Sequence, residues 1–139
     1  MSKPIDDLLS KSQIADRLIR IGEVPHNDVY KFYSTADIAL STSERESFGY
    51  FIAEGMSCGL PFVAHRGGAI EEIIENSSTG FVVNNEDDFI EFLLTLIKNP
   101  TLRNQMGKKS REGIINMCSI PVFKNRFLKI LNEEFNLFL

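Results

Sequence analysis

Two glutamates, Glu46 and Glu54, stand with seven residues between them and flank a glycine, Gly49, that opens an apolar run. A carboxylate has two oxygens that accept hydrogen bonds together, so such a pair suits the hydroxyls of a sugar-like ligand. For both to face one cleft, Glu46 must lie in a loop and Glu54 about two turns along the helix that follows. The sequence around them provides for this. Asp37-Ile38-Ala39-Leu40 reads as a strand, which puts Glu46 in the loop leaving it. Phe48, Phe51, Ile52 and Met56 then recur at helical spacing between Phe48 and Cys58. Gly59-Leu60-Pro61 ends that helix, with glycine just past the end and proline beyond. The unsatisfied N–H groups of such a helix start, at the positive end of its dipole, favour an anion such as phosphate.

The rest of the chain alternates strand and helix. A weak helix is expected over Ile5 to Ala15, a strand over Leu18 to Ile21, and a helix from Asn27 to Thr35 with Val29, Tyr30, Phe32 and Tyr33 as its apolar positions. After the strand Asp37 to Ser41 and the helix beyond Glu46 comes a strand over Phe62 to His65. Gly67-Gly68 turns the chain into a short helix through Ile70, Ile73 and Ile74. Asn76 to Gly80 is a turn, and Phe81-Val82-Val83 is the last strand. Asn85 can cap the next helix, in which Phe89, Phe92, Leu93, Leu96 and Ile97 line one face. Pro100 starts another helix, and Ile120-Pro121 separates it from a final amphipathic helix within residues 118–139. Strands alternating with helices imply an α/β fold: a single domain over residues 1–139, with a parallel sheet of about four strands and helices on both faces.

These residues resemble the retaining, nucleotide-sugar-dependent glycosyltransferases built from two Rossmann-like domains, the large GT-B group with a Glu-x7-Glu motif. Glu46 and Glu54 match that motif in spacing. Ser43-x-x-Glu46-Ser47-Phe48-Gly49, Cys58-Gly59-Leu60-Pro61 and Gly67-Gly68-x-x-Glu71 match it in order, as do Ile21-Gly22-Glu23-Val24 and Phe32-Tyr33-x-x-Ala36-Asp37 upstream. Two acids eight apart recur often by chance; the ordered series does not. The chain departs from the family at Thr42, where proline is usual, and at Gly55, where alanine is usual. A glycine inside a helix costs roughly 1 kcal/mol relative to alanine. The family domain also begins with two further strands and a loop bearing an Arg and a Lys for the diphosphate. Nothing before residue 17 looks like either strand, so the expectation is a partial, Rossmann-like donor-binding domain that lacks its N-terminal acceptor domain.

The resemblance implies roles for these residues. Glu46 is the catalytic carboxylate, holding the donor sugar without acting as a covalent nucleophile. Ser47, Phe48, Gly49, Tyr50 and Phe51 meet the sugar and diphosphate, the last two through main-chain N–H groups. Glu54 takes the ribose hydroxyls and Val24 lies by the base. His65, Gly67 and Gly68 are further candidates at the same edge. The donor is a UDP- or GDP-hexose, used without cofactor or metal. The acceptor is a glycan or lipid-linked molecule met by the absent domain, and the fragment alone is expected to be inactive. Structural readings stand beside these. Glu46 can be a solvated loop acid and Glu54 a surface helix acid. Gly67-Gly68 can be an ordinary tight turn, His65 a packing histidine, and His26 and Arg66 surface residues.

Composition narrows the setting. Hydrophobic residues make up 43% of the 139, enough for a core burying roughly two-thirds of the unfolded surface. Met1-Ser2-Lys3-Pro4-Ile5 does not read as a signal peptide, and no apolar run is long enough for a transmembrane helix. The two cysteines, Cys58 and Cys118, lack metal-ligand spacing and suit packing roles in a reducing cytoplasm. Charge divides unevenly: residues 1–97 carry 7 basic and 16 acidic side chains, and residues 98–139 carry 8 and 3. The basic end reads either as a solvated face against the missing domain or as a peripheral contact with anionic lipid at the inner face of the membrane, as in polysaccharide synthesis at a bacterial cell envelope. An acidic whole with no aromatic–basic interleaving argues against nucleic acid. Two other functions remain open: a non-catalytic nucleotide-sugar-binding module, and a nucleotide-sugar epimerase of similar architecture.

Overall fold

Aromatic and β-branched residues concentrate in Phe62–His65 and Gly80–Val83, and a computed structural model of the protein builds its sheet from these two runs and the shorter Ala39–Ser41. It describes residues 11–75 and 77–135. A 3-10 turn at Ala15–Arg17 precedes α1 (His26–Tyr33), β1 (Ala39–Ser41), α2 (Tyr50–Ser57), β2 (Phe62–His65), α3 (Ile70–Ile73), β3 (Gly80–Val83), α4 (Glu86–Lys98), α5 (Pro100–Cys118) and α6 (Ile120–Phe135). The three strands form one parallel sheet in the order β1-β2-β3, with Phe62 paired to Ala39 on one side and to Gly80 on the other. This is the Rossmann-like α/β arrangement that the alternating pattern implies, with three strands where about four were expected.

The missing strand is the one expected over Leu18 to Ile21. Residues 18–25 carry no regular structure, and Ile19 is 88% exposed. A strand holds its shape through ladder hydrogen bonds to a neighbour, and no ladder reaches this apolar run. The weak helix expected over Ile5 to Ala15 falls mostly outside the described residues, as does Asn76 in the expected turn.

β2 and β3 are buried on both faces, as central parallel strands are. Side-chain alternation splits their residues between two cores. Phe62, Ala64 and Val82 pack with Ile52 and Met56 of α2, Ile70 and Ile73 of α3 and Ile114 of α5. Val63, Phe81 and Val83 pack with Leu96 of α4 and Met106 of α5, flanked by Phe89 and Phe92. One helix, α5, thus reaches both layers. Its placement is fixed by the buried Ser110 hydroxyl, which donates to the Thr79 carbonyl at 2.6 Å.

The cap expected at Asn85 forms, and side chains also satisfy the facing ends of α4 and α5. The Asn85 side chain accepts from the Asp88 N–H at 2.8 Å to start α4, and Asn99 accepts from Leu102 ahead of Pro100 in α5. Arg103 reaches back to donate to the carbonyls of Leu96 and Ile97, closing the far end of α4. α6 buries none of its described residues; Ile120 and Phe123 are 82% and 65% exposed.

Candidate functional site

Ligand-facing loops of an open parallel sheet gather at the carboxyl ends of its strands, and here the loops after β1 and β2 interlock at that edge. The Glu46 carbonyl accepts from the Ala69 N–H at 2.9 Å. A Cβ on Gly67 would stand 2.3 Å from the Glu44 carbonyl oxygen, and one on Gly68 would stand 1.8 Å from that of Glu46. Gly68 also has φ +53°, in the left-handed region that side chains rarely adopt. Glycine at both positions is therefore what lets the second loop lie on the first.

Glu46 organises its own loop. Its Oε1 accepts from the Gly49 N–H at 3.0 Å. Gly49, buried with φ +80°, is the residue before α2 and feeds its carbonyl to the N–H groups of Ile52 and Ala53. The helix starts at Tyr50, two residues later than the periodicity beginning at Phe48 suggests. The N–H groups of Tyr50 and Phe51 then have no carbonyl a turn below them and are open to an incoming acceptor. Ser47 is exposed, and the half-exposed Phe48 ring lies 4.7 Å from that of Tyr50, which is 73% exposed. An anion at the head of α2 would meet a turn that is already formed.

Glu54, on the second turn of α2, faces α1. Its Oε1 stands 3.5 Å from Nδ1 of His26, and it lines a cavity of about 160 Å³ with Val29, Tyr30, Tyr33, Ser57 and Cys58. Burial, then the negative charge of Glu54 and then Cys58, raise the Tyr33 phenol above its usual 10.0. Tyr33 is consequently a neutral hydroxyl at working pH. The same glutamate borders a second hollow of about 290 Å³, lined by Tyr50, Ala53, Ile114, Ile115 and Cys118. Val24 does not line either hollow with Glu54. It lies in a separate one of about 390 Å³ with Ile21, Pro25 and Phe32, two residues before His26.

His65 ends β2 with the parity of Val63, and its ring stacks on Phe89 of α4 at 5.1 Å. It therefore packs on the α4 face of the sheet. Arg66 is exposed and pairs with Glu71. Cys58 is half-buried and Cys118 exposed, both as free thiols. No cluster of three or more His, Cys, Asp or Glu side chains suited to a metal ion occurs among the described residues.

His26, Tyr30 and Tyr33 were not singled out as partners of Glu54 from sequence. Their spacing of i, i+4 and i+7 places them on one helical face, and that was the available signal. What the sequence could not supply was which helix that face meets.

The sequence matches the family described as Glycosyl transferases group 1 over residues 1–113. The chain belongs to that family. It is 31% identical over 109 residues to N-acetyl-alpha-D-glucosaminyl L-malate synthase of Bacillus anthracis, a match covering 77% of this chain and 28% of that protein. Among solved structures, sucrose-phosphate synthase of Thermosynechococcus elongatus superposes with a TM-score of 0.85 at 21% identity, over 96% of this chain and 34% of that one. Anabaena HepE in complex with UDP also gives 0.85, at 19% identity, over 94% and 36%. At such identities the superpositions show the fold alone. This glycosyltransferase-family chain spans between 26% and 28% of the length of the first curated relatives it matches.

Proposed function

We propose that the chain is the donor-binding half of a retaining glycosyltransferase that transfers a hexose from UDP or GDP to a glycan or lipid-linked acceptor. The observation that carries this reading is the preformed head of α2: Gly49, held by the Glu46 carboxylate, presents the N–H groups of Tyr50 and Phe51. In this reading the diphosphate accepts from those N–H groups at the positive end of the helix. Glu54 accepts from both ribose hydroxyls, and the base lies toward Val24. The Glu46 carboxylate keeps one oxygen on Gly49 and offers the other to the sugar hydroxyls. Its negative charge favours the cationic character developing at the anomeric carbon. A carboxylate so held does not reach that carbon to form a bond.

Charge leaving with the diphosphate needs more cations than the head of α2 provides, so the chain by itself should transfer sugar slowly or not at all. An acceptor domain elsewhere in a longer protein completes the reaction. Free thiols at Cys58 and Cys118 suit a cytoplasmic reaction, and the basic residues of the C-terminal third suit work at the inner face of a membrane. No helix among the described residues is long and apolar enough to cross one.

Titration with UDP and GDP tests the site. A ligand bound only by the folded state must raise the melting temperature as it saturates. Binding of either nucleotide should do so at millimolar concentration; an unchanged melting curve with both contradicts a preformed site.

A further inference from the structure

We infer that His26 is a positioning residue for nucleotide binding, acting through Glu54; this rests on the proposed reading in which Glu54 receives the ribose. Glu54 is a flexible side chain, 34% exposed, on the wall of a cavity otherwise lined by Val29, Tyr30, Tyr33, Ser57 and Cys58. A free glutamate surrenders rotamer freedom when a ligand immobilises it. Nδ1 of His26 stands 3.5 Å from Oε1 of Glu54. A hydrogen on that nitrogen, after an approach of a few tenths of an ångström, would hold one carboxylate oxygen and leave the other for the ribose. The other groups with polar hydrogens on this cavity are the Tyr30, Tyr33 and Ser57 hydroxyls and the Cys58 thiol. His26 approaches instead from the solvent side, at the first residue of α1, where a nucleoside must enter.

The ring is 86% exposed, so its contribution is that of a surface contact. The distinguishing property is coupling. A residue that merely supports α1 affects every nucleotide alike, whereas one that acts through Glu54 affects only those with ribose hydroxyls.

The test measures dissociation constants of the tighter-binding of UDP and GDP, and of its 2′,3′-dideoxy form, for the parent chain, His26→Ala, His26→Asn and Glu54→Gln. His26→Ala should weaken the ribonucleotide about two- to fivefold and leave the dideoxy form unchanged. His26→Asn, which keeps an N–H at similar reach, should recover most of the loss. Equal loss on both nucleotides overturns the inference in favour of a structural role. Loss with Glu54→Gln but none with His26→Ala overturns it while sparing the reading of the site. Ribonucleotide binding that is indifferent to Glu54→Gln overturns both.

Discussion

Glu46 has two tasks that a substitution can separate. One oxygen accepts from the Gly49 N–H at 3.0 Å and sets the turn into α2; the other is, in the proposed reading, left for a donor sugar. Glutamine retains an acceptor for Gly49 but carries no charge, so Glu46→Gln should melt with the parent. Glu46→Ala removes the acceptor and should lose about 1 kcal/mol, the net value of one such hydrogen bond. In a chain completed to the length of its relatives, Glu46→Gln should slow transfer roughly a hundredfold at saturating donor, about 2.7 kcal/mol of transition-state stabilisation. Near-parental transfer by that variant would remove Glu46 from the chemistry. Glu54→Gln should act instead on donor affinity, since its proposed contacts are with ribose and not with the reacting sugar.

At the scale of elements, the position of α2 depends on a residue unfavourable in a helix. Gly55 costs roughly 1 kcal/mol in helix propensity relative to alanine, yet a Cβ there would lie 2.6 Å from Cζ of Phe62. Phe62 is 1% exposed at the centre of one core and has nowhere to turn. Gly55→Ala should accordingly destabilise the protein by about 1–3 kcal/mol through overpacking, despite the better propensity, as a lower urea midpoint. A midpoint equal to the parent's would mean that β2 and α2 yield to each other.

The glycine was readable in sequence as a departure, but its cause was not, because the ring that fills its place is seven residues on, on the strand that α2 packs against. The same distinction runs through the fold. Asn85 and Pro100 announced their helices by local chemistry, and β2 and β3 announced themselves by continuous apolar runs. Leu18 to Ile21 carried an equally good strand pattern and forms no strand, since pairing is decided by neighbours and not by the run itself. His65 ended a strand at the ligand-facing edge, yet its parity turns it onto Phe89. The strand, loop and helix that carry Glu46 and Glu54 were legible because they are contiguous; the α1 face that meets Glu54 was not.

The whole molecule is asymmetric. The sheet's carboxyl edge, α1 and α2 belong to the acidic part of the sequence, and the basic residues concentrate in α5 and α6. Exposed apolar residues occur at both ends of the described chain, with Ile19 88% and Ile120 82% exposed. Relatives that match the chain are nearly three times as long, since 109 matched residues make up 28% of one and 106 make up 26% of another, and the proposed reaction needs groups beyond these 139 residues. Nucleotide binding does not, which makes it the place to test the account. The most direct measurement is the amide chemical-shift map of the isotope-labelled chain titrated with UDP and GDP. Binding at the proposed site predicts the largest changes at Tyr50, Phe51 and Glu54, with smaller ones in the Gly67-Gly68 loop and at the start of α1. Changes confined to α4 and α6, or none with either nucleotide at millimolar concentration, would contradict it.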